Sequence, residues 1–194
     1  MKQVWVFDFD GTITRRDSLL EFIRFASGNG RFCLGFLLYS PLLVLMKLRL
    51  YPNWKAKQKV FSYFFRGKTT AEFDALCRSF VEEKRSLIRP EAAEKIAEGR
   101  RQGVQVMVVS ASVDNWVQPF FPSVKVLGTK VEVADGRLTG RFLTRNCYGA
   151  EKVNRLKEVL TDPREAYHIV AFGDSRGDKE LLEYADEGYF RPFG

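Results

Sequence analysis

Hydrophobic and polar positions divide the 194-residue chain into stretches of different period. The first is a short unbroken apolar run, Val4-Trp5-Val6-Phe7, that ends in Asp8-Phe9-Asp10-Gly11-Thr12. β-Branched and aromatic residues without alternation fit a strand covered on both faces. From about residue 15 to 87, Leu, Phe and Arg recur at roughly helical spacing and few positions favour strands, which predicts a helical insertion. After that the pattern reverts. Pro90-Glu91-Ala92-Ala93 opens a helix that stops near Gly103. Residues 104–109 form a second buried strand closing on Ser110. A short helix over 114–121, a strand over 124–127 and a hairpin over 131–142 turning at Asp135-Gly136 follow. The chain finishes with a helix over 149–160, a buried strand over 168–172, a helix over 178–184 and a short strand over 188–190.

Strands alternating with helices give an α/β fold, here a Rossmann-like parallel sheet with helices on both faces and a helical cap inserted into it. The expected division is a core of residues 1–13 and 89–194 and a cap of 14–88. Ligands of such sheets bind beyond the carboxyl ends of the strands. Asp8 ends the first strand, Ser110 the second, and Gly173-Asp174-Ser175 a later one, so three separated segments converge on one crevice.

Composition changes this picture little. With 45% hydrophobic and 28% charged residues the chain suits one packed unit. Lys and Arg exceed Asp and Glu by seven, which favours anions of any kind. The cations are scattered rather than interleaved with aromatics in one run, so no nucleic-acid partner is expected. Cys33, Cys77 and Cys147 are odd in number, lack metal-ligand spacing and are expected as reduced thiols. Asp8 and Asp10 fall where the apolar part of a secretory leader would lie, and the expected location is cytoplasmic. His168, the only histidine, flanks an apolar run and is assigned a structural role.

Asp8 and Asp10 are two positions apart and share a face of an extended backbone, and Gly11 lets the chain turn tightly beside them. An ordinary Asp-Gly turn needs neither the second carboxylate nor the apolar strand before it. The run Asp8-Phe9-Asp10-Gly11-Thr12 resembles the DxDGT signature of the haloacid dehalogenase superfamily. Ser110, Lys152 and Gly173-Asp174-Ser175-Arg176-Gly177-Asp178 follow in the order of that superfamily's other motifs. The resemblance is to its phosphoserine phosphatase-like subfamily. It implies that Asp8 is the nucleophile that becomes phosphorylated, and that Asp10 is the general acid and then base. Lys152 is implied to neutralise Asp8 and the phosphoryl charge, with Lys130 as a rival that leads into the hairpin instead. Gly11, Thr12, Ser110, Ala111 and Lys152 are implied to surround the phosphoryl group. Read alone, Ser110 also suits a helix N-cap. The resemblance further implies Mg²⁺ as cofactor, held by Asp8, the backbone carbonyl of Asp10 and Asp174, with Asp178 orienting the lysine. One position departs: Gly177 stands where many phosphoserine phosphatases carry Asn.

The implied activity is hydrolysis of a small phosphorylated metabolite, with a phosphoserine-like one as a candidate, through an aspartyl-phosphate. Alternatives are a phosphotransferase, a lipid-phosphate phosphatase and a scaffold without activity. Asp17, seven residues after Asp10, falls where the subfamily places an acid that meets the substrate amine, and it also suits a helix N-cap. Residues 32–46 carry no charge and lie between Arg31 and Lys47. Interrupted by Pro41 and short for a bilayer, the run reads first as a helix pair buried inside the cap. The sharper reading is a peripheral membrane contact. Oligomeric state is not legible.

Overall fold

The computed structural model describes residues 1–193. Its centre is a five-stranded, all-parallel sheet. The strands are β1 (Lys2–Phe7), β2 (Gln105–Val113), β3 (Lys125–Thr129), β6 (Tyr167–Gly173) and β7 (Glu187–Phe190), in spatial order β3-β2-β1-β6-β7. β4 (Val131–Ala134) and β5 (Arg137–Phe142) form a separate antiparallel hairpin, turning at Asp135 and Gly136, both at positive φ. Positive φ at both turn residues matches the right-handed twist of a two-residue hairpin, and Asp-Gly tolerates it.

β1 has neighbours on both edges, and its side chains alternate between two cores. Val4 and Val6 join Met107, Val109, Ile169, Leu156 and Leu181 on the face covered by α6 (Ala150–Val159) and α7 (Lys179–Tyr184). Trp5 and Phe7 point the other way, toward Ile96 and Ala92 of α4 (Pro90–Arg101), and Phe7 stacks on Phe172 at 4.4 Å. Each such side chain contributes about 1.5–3 kcal/mol by leaving water. The strand order reverses direction at β1, between β2 and β6, and a crevice opens beyond the strands there.

The insertion folds as three helices: α1 (Ser18–Lys47), α2 (Asn53–Phe65) and α3 (Thr70–Lys84). Thr69 and Glu72 form a reciprocal capping box at the start of α3. Entry and exit of the insertion are tied by a bridge between Thr14 and Ile88 and by Arg15 N–H donating to the Leu87 carbonyl at 3.0 Å. The aromatic side chains Phe22, Phe61, Phe65, Phe73 and Phe80 fill the space between these helices and Trp116 of α5 (Asp114–Val117). The hairpin packs on α2 and not on the central sheet: the Gly67 N–H donates to the Leu138 carbonyl at 2.8 Å, and Phe61 meets Phe142.

Three local expectations change. β2 runs on to Val113, because β3 pairs with it as far as Thr129 after an irregularity beyond Val109. Ser110 therefore lies in the strand and caps no helix; α5 starts after Val113 without a side-chain cap. Pro41 does not interrupt α1, whose break comes instead at Gly28 (φ 73°, ψ 163°). Proline removes the donor that the Leu37 carbonyl needs, and the Ser40 hydroxyl supplies one at 2.8 Å. The run 32–46 is also not a buried helix pair. It lies within one helix, with Gly35 and Phe36 against Phe64 of α2 on one side and Leu34, Leu37, Leu38, Val44 and Leu45 exposed on the other.

Candidate active site

The register of β1 against β6 fixes the site. Phe7 pairs with Phe172, so Asp8 and Asp174 each follow the paired residues closely, and the Asp8 N–H donates to the Phe172 carbonyl at 2.9 Å. The chain then turns at Gly11 (φ 85°), where a Cβ would come within 2.3 Å of an Asp174 carboxylate oxygen. Glycine is required there on two counts, backbone conformation and space. Thr12 lies beneath, its hydroxyl 3.2 Å from Asp8 Oδ2 and 3.3 Å from Asp174 Oδ1. One hydroxyl hydrogen serves one of these oxygens at a time.

Lys152 comes from the first turn of α6 and is buried between two carboxylates, 2.5 Å from Asp8 Oδ1 and 2.5 Å from Asp178 Oδ1. Burial works against its ammonium, but Asp8 and then Asp178 outweigh it and raise its pKa. Asp178 is fully buried, and its other oxygen accepts from Ser175 N–H at 3.0 Å and Ser175 Oγ at 2.8 Å. Burial would raise its carboxyl, yet Lys152 and Ser175 hold it below the usual range. Both Asp178 oxygens are thus engaged, which suits it to orienting Lys152. The Asp174 carboxylate accepts from the Thr12 hydroxyl, and burial followed by Asp178 raises its pKa. Lys130, the rival lysine, is exposed.

Oxygens of Asp8, Asp174 and Asp178 lie within 4.8 Å of one another. Three carboxylates share one ammonium, and at Asp8 burial, with Asp178 adding to it, pushes the carboxyl up to about 7 although Lys152 pulls the other way. A hard divalent cation fits this deficit and this all-oxygen donor set. Asp8 and Asp174 retain the free lone pairs to hold it.

Asp10 stands at the junction of core and insertion. Its carboxylate accepts from the Ser18 N–H at 2.6 Å, in the first turn of α1, and from the Ser112 hydroxyl at 2.5 Å. Ser18 Oγ in turn lies 3.1 Å from Ser112 Oγ and accepts from the Trp116 indole at 3.1 Å. Ser110 is fully buried, with its hydroxyl accepting from the Ser112 N–H at 3.0 Å, whereas Ala111 reaches the crevice. Asp17 caps α1 by accepting from Leu20 N–H at 3.1 Å and lines the crevice as well.

A cavity of about 450 Å³ opens over Asp8 and Asp10. The insertion adds a side chain that sequence reasoning did not single out. Lys57 of α2 enters this cavity and donates to the Ala111 carbonyl at 2.7 Å. Desolvation lowers its ammonium pKa against the pull of Asp10 and Asp17. Ser112 and Tyr148 were missed too. The Tyr148 ring covers Gly177, where a Cβ would come within 2.4 Å of it, so the Asn-to-Gly departure makes room for an aromatic ring beside the site.

Residues 5–183 match the family described as haloacid dehalogenase-like hydrolase. The chain belongs to that family. Protein CicA of Caulobacter vibrioides is 34% identical over 192 residues, covering 96% of this chain and 85% of the relative. A Bordetella pertussis protein of unknown function shares the fold at a TM-score of 0.83 with 20% identity, over 94% of this chain and 86% of the other. Phosphoserine phosphatase from T. onnurineus aligns at a TM-score of 0.61 with 23% identity, over 96% and 82%. For this haloacid dehalogenase-like hydrolase the two structures establish fold alone. Its chemistry is argued from its own residues.

Proposed function

We propose that the chain is a Mg²⁺-dependent phosphomonoester hydrolase acting through an aspartyl-phosphate at Asp8. The observation that carries this reading is the buried Asp178–Lys152–Asp8 chain, which aims a carboxylate of restrained orientation into a cavity. Bound Mg²⁺, held by Asp8, Asp174 and the Asp10 backbone carbonyl, supplies positive charge against the phosphoryl oxygens.

One Asp8 oxygen attacks phosphorus while the bond from phosphorus to the ester oxygen breaks, and protonated Asp10 gives its proton to the departing alkoxide. Water then yields a proton to the Asp10 carboxylate and attacks the phosphorus of the acyl phosphate. The bond to Asp8 breaks, and inorganic phosphate leaves. Lys152 stays protonated, held by Asp178 throughout and by the Asp8 carboxylate until it is phosphorylated, and offsets charge on the nucleophile and the phosphoryl group.

Two observations bear on the alcohol released. Asp17 and Lys57 offer opposite charges to a small zwitterion such as phosphoserine. The rest of the cavity favours a second reading, a lipid phosphate, since Leu19, Leu20, Phe36, Leu43, Met46 and Val60 face it. Turnover of p-nitrophenyl phosphate by the purified chain tests the reaction class. EDTA should abolish it and Mg²⁺ restore it. Asp8→Asn should lower it at least about a thousandfold with the circular dichroism spectrum unchanged. A wild-type rate in that variant overturns the nucleophile assignment. A panel of amino-acid, sugar, nucleotide and lipid phosphates then separates the two alcohols.

A further inference from the structure

The second half of α1 breaks the usual rule for a surface helix. After Gly28, positions 32, 35, 36, 39, 42, 43 and 46 turn inward or are half-buried, packing on α2 through Gly35, Phe36 and Tyr39. The outward positions are just as apolar: Leu34, Leu37, Leu38, Val44, Leu45 and Leu48 are exposed, Leu37 to 70%. A helix apolar all round belongs in a protein core or in lipid. Among the described residues, this one has a partner for one side.

Charge identifies the second partner. Between Phe22 and Ala71 there are nine Lys and Arg and no Asp or Glu, whereas the rest of the chain holds 22 against 24. The whole positive excess, which looked scattered along the chain, belongs to α1, α2 and their flanks. Arg31 stands at one end of the leucine face, and Lys47 and Arg49 at the other, all exposed. A second copy of this chain meeting it through the same face would bring the same cations with no acid to meet them. A nucleic acid would meet the cations and leave the leucines unpaired. Anionic headgroups over an acyl boundary satisfy both.

We propose that residues 29–47 of α1, with Leu48 and Arg49 directly after them, form a membrane-docking element that lies in the headgroup region of an anionic phospholipid bilayer and delivers a lipid-borne phosphomonoester to the cavity above Asp8. Taken whole, α1 (Ser18–Lys47) has the length and composition to cross a membrane, but it breaks at Gly28 and the inner face of its second half is committed to α2, so that half lies in the interface. Phe36, Leu43 and Met46 on that inner face line the Asp8 cavity, which makes docking surface and cavity wall two sides of one helix. Delivery rests on the phosphatase reading; docking does not.

Flotation of the full chain with phosphatidylcholine vesicles, with and without phosphatidylglycerol, tests docking without turnover. The wild type should float with the anionic vesicles and lose binding as salt rises. Leu37→Glu/Leu45→Glu should weaken binding at least tenfold and leave p-nitrophenyl phosphate turnover unchanged, because neither leucine lines the cavity. No flotation of the wild type, or equal flotation of the variant, overturns docking. So does a wild-type dimer in light scattering that the variant dissociates. For delivery, phosphatidic acid in the anionic vesicles should be hydrolysed with at least tenfold higher kcat/KM than glycerol 3-phosphate. Equal rates with docking and aryl-phosphate turnover intact overturn delivery alone. Docking without any aryl-phosphate turnover sinks the phosphatase reading and leaves docking standing.

Discussion

Strand β1 and the second half of α1 are both unbroken apolar runs, and they reach opposite environments. Val4, Val6 and Phe7 of β1 are fully buried, while the outer leucines of α1 face solvent. A strand cannot satisfy its own backbone, so β1 recruits β2 and β6 at its edges, and the helices joining those strands cover both faces. A helix bonds its own backbone and needs no such neighbours. Among the described residues, α2 is what returns to cover the second half of α1, and it covers one side. Burial of an apolar run is therefore decided by what later segments bring back to it.

Truncation on the two elements should give the widest contrast in stability. Phe7→Ala removes a side chain packed between Phe172 and the α4 face and should cost about 3–5 kcal/mol. Leu37→Ala, at a position 70% exposed, should change stability by no more than about 0.5 kcal/mol. Urea unfolding of both variants measures the difference. A cost above about 1.5 kcal/mol for Leu37→Ala would show that its face is covered in the free protein, and the contrast would collapse.

What the chain discloses by itself follows the same division. β1, β2 and β6 were legible because unbroken runs of β-branched and aromatic residues end in Asp8, Ser110 and Asp174, and one sheet edge brings Asp8 and Asp174 together. Lys152 and Asp178 were placed by the resemblance to the superfamily's motif order, not by their local sequence. Lys57 was not legible: in sequence it is one of fourteen Lys and Arg of the insertion, and only the docking of α2 carries it to Ala111. Ser112 was hidden because its value depends on β2 extending beyond Ser110, a length set by pairing with β3. Gly177 was visible as a departure, but its reason, the ring of Tyr148, lies 29 residues away. Pro41 misled because the rule for proline counts the lost donor and ignores a neighbouring hydroxyl.

The next contrast concerns that proline. β1 is fixed at both edges and holds no such flaw, whereas α1 carries a proline inside its exposed half. An interior proline costs about 3 kcal/mol in a regular helix. With the Leu37 carbonyl partly satisfied by Ser40, Pro41→Ala should stabilise the chain by about 1–2 kcal/mol, seen as a higher Tm. A lower Tm would mean that α1 is bent by Pro41 to fit α2, and that its shape is as strictly determined as that of β1.

The smallest effect decides whether Ser40 is the reason the helix survives. Its hydroxyl donates to the Leu37 carbonyl at 2.8 Å, the acceptor that an alanine amide at position 41 would otherwise fill. Ser40→Ala beside Pro41 should therefore destabilise by about 0.5–1 kcal/mol, despite the better helix propensity of alanine. In a Pro41→Ala background the backbone amide takes the carbonyl, and Ser40→Ala should become neutral or slightly stabilising. A double-mutant cycle by urea unfolding reads this coupling directly. Equal effects in both backgrounds would assign the tolerance of proline to solvent at the exposed carbonyl. The outer face of α1 would then keep its helix by hydration, and removing water from it would carry an added cost that β1 never meets.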